Sequence, residues 1–566
     1  MRRDNLMKYL KLGKHALAAG LVLLVAACSD SSSNNPGSLN NKPDYAVSGT
    51  ITGLAGSGMV LQNNGAGDLT IAKGATAFSF STQDPSATFA IAIKTQPGKQ
   101  DQQCTVDKAK ASGKLAGVTV NDINISCRNK FVYFSGRPPN SQQVWRTDGT
   151  TEGTGQFAKG VIPESLSLVQ FLPANEIMYF SASDIQRRNS LWKTDGTANG
   201  TVLVKQFTEA ESTSSIQELS FLNNSVYFTA NDGIHGIELW KSDGTEAGTV
   251  MVKDINSKGN SNPFNLTAFN GSIYFRADDG VHGQEVWKSD GTALGTVLIK
   301  DLYSGPRGSG PGRFVVFDKA LYFIAVPEAS APGQRAQFKI FKTDGTNAGT
   351  SALSDELFIT NERDSGPPQL FNGSLYFTTS SALGLGLELW KTNGTKDNTV
   401  RVKEIIPNSD EPGSPQFFVF GDYVYFSAGS RGNNDKKFKG IYKSDGTEGG
   451  TSLHAQGILI GSDYAPTVMN GYLYFPVLDQ STGDNSSLWR TDGSQVTQLD
   501  LGQQFGYARD FFGYFPGKLL PVINGSLLLM CSSSGKPQFL CTTDGTPAGT
   551  SEIKRDFSAY PFWKIF

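Results

Sequence analysis

The sequence predicts an all-β protein: a nine-bladed β-propeller of four-stranded blades, preceded by a small Ig-like β-sandwich. Three observations carry this prediction. A motif of the form LWKSDGTEAGT recurs nine times, starting at Val144, Leu191, Leu239, Val286, Ile340, Leu389, Ile441, Leu488 and Leu540. The tryptophan-equivalent positions are Trp145, Trp192, Trp240, Trp287, Phe341, Trp390, Tyr442, Trp489 and Cys541, spaced by 47, 48, 47, 54, 49, 52, 47 and 52 residues. The chain is also rich in glycine, with 63 in 566 residues, and only 18% charged, a profile that suits turn-rich β structure. A period near fifty built from short strands marks a propeller or a similar array. Eight blades plus an extra hairpin is the alternative count.

Each unit carries four strand signals. The first is an apolar run ending in a turn, as in LTAFNGS from Leu266. The second is an aromatic run: VYF at Val132, Val226 and Val424, MYF at Met178, IYF at Ile273, LYF at Leu321, Leu375 and Leu473, and LLL at Leu527. The third is the LWK strand, and the fourth resembles TVLVK at Thr201. Four strands make one propeller blade. Both faces of such a blade are covered by its neighbours, which accounts for adjacent large side chains such as Tyr227 and Phe228 where a half-exposed sheet would alternate. Six of the seven tryptophans occupy the LWK position and are expected in the core; the seventh, Trp563, lies in the last segment.

The ends are expected to meet. The first unit starts at its second strand, FVYFSG from Phe131, and lacks the first. The chain ends in PFWKIF from Pro561, which matches PFNLTAF from Pro263. A C-terminal strand completing the first blade would close the ring and remove exposed sheet edges.

Upstream of the repeats, residues 45–128 contain about seven short β-branched runs separated by Gly, Asn and Asp, which read as a sandwich. The segment resembles Ig-like modules of bacterial surface proteins through SGTITGLAGSGMVLQNN and the QQCTV and ISC segments; a spacer role follows. Residues 28–44 (CSDSSSNNPGSLNNKPD) read as a polar tether. Residues 1–27 read as a signal peptide: Arg2, Arg3, Lys8, Lys11 and Lys14 precede an apolar run, 16–27, too short to span a bilayer comfortably. The run ends Val25-Ala26-Ala27-Cys28, which resembles the bacterial lipobox. That resemblance implies cleavage before Cys28 and its diacylglycerol modification, and Ser29 implies outer-membrane sorting. Several acyl chains make a stable anchor, at about 0.8 kcal/mol per buried methylene.

Of five cysteines, Cys28 is assigned to lipid. Four remain, and local disulfides Cys104–Cys127 and Cys531–Cys541 are expected. The net charge is −2; without the first 27 residues, 45 basic and 51 acidic residues leave about −6. No basic field attracts nucleic acid. No nucleophile motif, phosphate loop or zinc signature is present. Carboxylate pairs for glycosidic chemistry could still be assembled from different blades.

Residues 129–566 resemble the bacterial ELWxxDGTxxGT repeat family, sometimes called hyalin-like; ELWKSDGTEAGT from Glu238 is close to its consensus. The resemblance implies a secreted or surface propeller. Asn393 in place of Asp, GSQVTQ after Asp492 and Cys541 in place of Trp depart from it.

The DGT segment joins the third and fourth strands as a turn: Asp accepts backbone N–H bonds, Gly takes a positive φ and Thr caps. A calcium site at Asp243 or Asp290 is the alternative, but calcium takes about six to eight oxygens and each turn supplies few acids. No cofactor is expected. NGS at Asn270, Asn372 and Asn524 reads as a tight turn rather than a glycosylation sequon. NDGIHG from Asn231 and DDGVHG from Asp278 place Asp232, His235, Asp279 and His282 in equivalent hairpins of neighbouring blades, either as polar loops or as a site for a metal or an acidic ligand.

The distance from the second-strand Tyr to the Trp position varies: 12 residues at Tyr133, 13 at Tyr227, 19 at Tyr322, 17 at Tyr425 and 15 at Tyr474. One rim, with the NGS and DGT turns, is therefore uniform, while the other is diversified and is the expected binding face. Its loops 327–337, 431–437 and 479–485 carry Arg335, Arg431, Lys436 and Lys437, which suit an anionic glycan or an acidic protein surface. The expected function is a lipid-anchored outer-membrane binding scaffold for a protein or glycan. A propeller polysaccharide hydrolase or lyase with a channel site, and a purely structural surface protein, are the alternatives.

Overall fold

The computed structural model describes residues 45–565 apart from segments 98–101, 138–142, 163–166, 208–215, 328–337, 355–367, 380–385, 408–415, 430–437, 479–485, 502–505, 508–517 and 533–538 and some stretches of one to three residues. Cys28, Arg335, Arg431, Lys436 and Lys437 lie outside the described residues, as does the side chain of Trp563.

Residues 45–129 form two four-stranded sheets. One runs Ala77–Thr82, Tyr45–Thr52, Val120–Asn129, Gln102–Val106; the other runs Ala66–Ile71, Met59–Asn63, Thr88–Thr95, Ser112–Lys114. Alternation along Tyr45–Thr52 and Thr88–Thr95 sends every second residue inward. Val47, Ile51, Met59, Leu61, Phe89, Ile91, Ile123 and Ile125 meet there in one core. Cys104 and Cys127 face each other across paired strands and are disulfide-bonded.

From Val132 to Ile565 the described residues form successive sheets of mostly four antiparallel strands, with a small parallel pairing of Tyr464–Ala465 and Lys518–Leu519 among them. One example shows the plan: Gln217–Leu222, Ser225–Asn231, Ile237–Ser242 and Val250–Lys253 pair in chain order. The first strands of neighbouring sheets approach one another, so they lie innermost and the fourth strands lie outermost. This is a β-propeller. The strand Ser558–Ile565 pairs with Val132–Arg137, placing Ser558 opposite Arg137 and Ile565 opposite Val132. The last and first sheets also share a core of Val132, Phe134, Ile523, Leu528, Leu540 and Ile553.

The aromatic run is buried on both faces: Tyr227 and Phe228 are both inaccessible, as are Tyr274 and Phe275. The phenylalanine pairs across the strand with the tryptophan position, and the two rings stack. Phe180 lies on Trp192, with Phe341 and Tyr442 replacing tryptophan on Phe323 and Phe426. An aromatic ring, rather than an indole, is what this position requires. At Cys541 no ring is present; a disulfide to Cys531 takes its place in the core, spanning diagonally between strands that pair Cys541 with Leu529 and Cys531 with Phe539.

The tight turns follow their sequence. Asn270 and Gly271 both have positive φ, 45° and 73°, as do Asn372 and Gly373. That is the two-residue hairpin geometry Asn-Gly favours.

Candidate functional site

The DGT rim is built from closed hydrogen-bond circuits. In one turn, the Asp243 carboxylate accepts from Thr245 N at 2.8 Å and Thr245 Oγ1 at 2.7 Å, while Thr245 Oγ1 accepts from Gly248 N at 2.9 Å. Ser242 Oγ accepts from Gly244 N and lies 2.7 Å from Thr249 Oγ1. The bonds from Thr245 hold the Asp243 carboxyl below the usual range. Asn393 accepts the equivalent two bonds from Thr395. The turn therefore needs an acceptor oxygen and not a charge.

These turns also join the sheets. Lys241 Nζ donates to the Gly291 carbonyl of the following turn at 2.8 Å. Lys342, Lys391 and Lys443 do the same to Gly394, Gly446 and Gly493. The repeated motif is thus consumed in architecture.

On the opposite rim each histidine pairs within its own hairpin. Asp232 Oδ1 accepts from Ile234 N and His235 N, both at 2.9 Å, and Asp232 Oδ2 lies 2.7 Å from His235 Nδ1. Asp279 and His282 repeat the pattern, again with 2.7 Å to Nδ1. The carboxylate raises each imidazole pKa above its usual value and fixes Nδ1 toward Asp, so Nε2 is the outward nitrogen. The tips, braced by these bonds, present apolar side chains: Ile234 is 81% exposed and Val281 63%. Among the described residues, no group of three or more His, Cys, Asp or Glu side chains is arranged to hold a metal.

Beneath these hairpins lie two carboxylates that the residue pattern alone did not single out. Glu238 and Glu285 are wholly buried. Glu285 accepts from Tyr303 N at 3.0 Å, Ser309 N at 2.8 Å and Ser309 Oγ at 2.6 Å. Glu238 accepts from Ile255 N, Ser261 N and Ser261 Oγ. Each carboxylate therefore clamps the crossover to the next sheet. Burial pushes the Glu285 carboxyl up to about 6 despite these donors, and raises Glu238 likewise. The Ser261 carbonyl then accepts from Asp278 N at 2.9 Å, tying one histidine hairpin to the crossover before it. The signal available in sequence was the Glu directly before LWK or VWK. Glu388, in the same place, instead accepts from Trp390 Nε1 at 3.0 Å and Arg401 at 2.9 Å.

A second feature was invisible in sequence. The innermost strands Gln217–Leu222, Phe264–Phe269 and Gly312–Phe317 each carry a bulge at the same register, opposite Phe228, Phe275 and Phe323. At each bulge a non-glycine residue is left-handed: Glu218 at φ 60°, Asn265 at 59° and Arg313 at 56°. Such a residue costs on the order of 1 kcal/mol relative to glycine. Glu218 reaches the next sheet, where its carboxylate accepts from Leu266 N at 3.3 Å. Gln170, one sheet earlier at the same register, accepts from Leu219 N at 2.9 Å. Arg276 pairs opposite Phe264, with its guanidinium 4.9 Å from that ring's centre.

No protein-family profile matches the chain. No curated protein matches it either. Solved structures similar to it include a puromycin-hydrolyzing peptidase of Mycobacterium tuberculosis, at 11% identity and TM-score 0.35, covering 75% of this chain and 56% of that one. Another is the β-propeller domain of the Trilobed protease from Pyrococcus furiosus, at 9% identity and TM-score 0.31, covering 69% of this chain and 98% of that domain. A study of two prolyl endopeptidases supplies a third, at 9% identity and TM-score 0.35, covering 61% of this chain and 50% of that one. The chain thus spans about half the length of the two peptidases.

Proposed function

We propose that the protein is a lipid-anchored envelope scaffold that binds a protein or glycan through the rim opposite its DGT turns. In this reading Cys28 carries the lipid in the outer membrane, residues 45–128 are an Ig-like spacer, and nine blades of the ELWxxDGTxxGT type form a closed ring. The observation that supports it best is the pair of hairpin tips, Ile234-His235 and Val281-His282. Each is braced by its own Asp and exposes an apolar side chain next to an imidazole. Braced tips lose less entropy on binding. Binding is preferred to catalysis because the buried carboxylates Glu238 and Glu285 are occupied by backbone donors of the crossovers.

The test is capture from envelope extracts and on a glycan array, comparing the natural chain with Ile234→Ser/Val281→Ser. Folding should be unchanged, since both side chains are exposed, and capture should be lost. Unaltered capture by the variant would overturn the choice of rim. Cys28→Ala should release the protein from membranes and abolish labelling with a fatty-acid analogue.

A further inference from the structure

We propose that the stretch of rim from the His235 hairpin to the crossover at Arg307 binds an extended acidic segment of a partner protein, with aliphatic side chains between its carboxylates. This deepens the reading of that rim as the binding face and rests on it.

The placement follows from bonds between hairpins and crossovers. Residues 254–262, which lead from one sheet to the next, bond back to the His235 hairpin. Ser261 N donates to the Ile237 carbonyl at 3.1 Å, and Ile237 N donates to Asn260 Oδ1 at 2.8 Å. The Ser261 carbonyl accepts from Asp278 N of the His282 hairpin. This crossover therefore lies between the two hairpins. Residues 301–311 hold the equivalent place one sheet on. Gly310 N donates to the Gln284 carbonyl at 3.0 Å, and the Ser309 carbonyl accepts from Val326 N at 2.9 Å. Hairpin and crossover thus alternate along the rim. Each brings one basic side chain, in the order His235, Lys258, His282, Arg307.

Charge decides what this row attracts. Its acids are recessed or engaged. Glu238 and Glu285 are buried on crossover donors. Asp254 and Asp301 each keep one carboxylate oxygen buried. Asp278 accepts from Gly280 N within its own turn. The side chains of Asp232 and Asp279 are 21% and 17% exposed, against 39% for both imidazoles. The basic groups face outward instead. Lys258 and Arg307 are exposed. Arg307 stands 5.9 Å from the centre of the Tyr303 ring and pairs with no carboxylate among the described residues. Neither Lys258 Nζ nor either imidazole Nε2 has a hydrogen-bond partner among the described residues.

The aliphatic tips specify the class. Ile234 and Val281 directly precede the two histidines and are largely exposed. A row that alternates basic and aliphatic groups is complemented by a chain that alternates carboxylates and aliphatic side chains. Branched aliphatic groups offer no flat surface for the face of a sugar ring. An acidic glycan would satisfy the charges but leave both tips uncovered. The imidazoles also make the attraction pH-dependent. The bond to Asp232, with the charges of Asp254 and Glu238, raises the His235 pKa; Asp279, Asp301 and Glu285 do the same for His282. Lys258 and Arg307 are the cations on the adjoining crossovers. Below their titration both imidazoles add positive charge to the row, and above it they add none.

The experiment titrates the full chain with a short peptide of alternating Glu and Leu, measuring Kd by calorimetry. Glu–Ser and Lys–Leu peptides and an oligogalacturonate are the comparisons. At about pH 6 the Glu–Leu peptide should bind about tenfold more tightly than any of these, and its Kd should rise about tenfold by about pH 9. His235→Gln/His282→Gln should bind at the lower pH as the natural chain does at the higher, with the pH dependence gone. Lys258→Ser/Arg307→Ser, at exposed positions that folding does not require, should weaken binding about tenfold at both pH values. A Glu–Leu peptide that does not bind, or that binds both variants as it binds the natural chain, would overturn the site. Equal or tighter binding of the Lys–Leu peptide would overturn the charge argument, and of the Glu–Ser peptide or oligogalacturonate the ligand class. If Ile234→Ser/Val281→Ser loses envelope capture while the natural chain binds no Glu–Leu peptide, the binding rim stands and this ligand falls. If capture and peptide binding both ignore every one of these substitutions, both readings fall.

Discussion

The hydroxyl of Tyr227 lies against Gly291 of the following sheet, so that a Cβ at Gly291 would stand 2.3 Å from it. The same relationship joins Tyr274 to Gly345 and Tyr376 to Gly446. The glycine of each of these three turns therefore meets two demands, a φ near +90° and a neighbour's hydroxyl at its α-carbon. Gly291→Ala should destabilise the protein by about 2 kcal/mol or more, combining left-handed strain with steric overlap. Adding Tyr227→Phe should recover only the overlap part. Equilibrium unfolding of the single and double variants measures this; no rescue would mean the cost is all backbone.

A second expectation concerns the turn aspartates. Asn393 makes the same two bonds to Thr395 that Asp243 makes to Thr245. Asp243→Asn should thus change stability by less than about 0.5 kcal/mol, whereas Asp243→Ala, which removes the acceptor, should cost about 1 kcal/mol or more. Thermal melts with and without calcium and chelator check this. A calcium-dependent Tm that disappears in Asp243→Asn would restore the metal reading of the turn.

How much of this was legible in sequence depends on where each partner lies. The turn circuit is complete within eight residues, Ser242 to Thr249, so its spacing displays its function. The core pairing of Phe180 with Trp192 repeats at a fixed offset and is equally plain. Glu285 was not singled out because its donors are backbone N–H groups of Tyr303 and Ser309, which carry no residue signature. Glu218, Asn265 and Arg313 were hidden for the opposite reason. Left-handed backbone is read from glycine, and here none marks it. The hairpin histidines were visible, but their pairing within each loop, rather than between loops, depends on the turn that Asp232 and Asp279 nucleate.

The pH dependence of stability should carry the mark of Glu285. Its carboxyl titrates near 6 in the fold, above the ordinary 4.5. The folded chain therefore binds this proton more tightly than the unfolded chain does. The associated stabilisation is fully present below pH 4.5 and is lost as pH rises through 6, amounting to about 2 kcal/mol. Glu238 acts in the same direction. Glu285→Gln should flatten the stability profile between pH 4.5 and 6. The raised imidazoles of His235 and His282 titrate above 6.5 and leave their slope at higher pH. Denaturant midpoints measured every half pH unit separate the two windows, and an unchanged slope below pH 6 in the variant would show that other carboxyls dominate.

The last expectation concerns ring closure. Strand Ser558–Ile565 is the innermost strand of the first sheet, and its pairing with Val132–Arg137 spans the whole repeat region. A second link is independent of it: Lys554 stands 5.9 Å from the centre of the Trp145 ring, as Lys205 and Lys253 stand over Trp240 and Trp287 of their following sheets. Deleting residues 561–566 would remove the pairs of Lys564 with Tyr133 and Ile565 with Val132. It would expose a sheet edge at the channel while leaving the Lys554 contact in place. The truncated chain should still fold but melt about 5 °C lower or more, and amide exchange should accelerate first at Val132–Arg137. Lys554→Ala alone should cost less than about 1 kcal/mol, the range for an exposed cation over a ring. If the truncation leaves both Tm and exchange at Val132–Arg137 unchanged, the C-terminal strand does not close the ring in solution, and the Lys554–Trp145 side of the junction holds it alone.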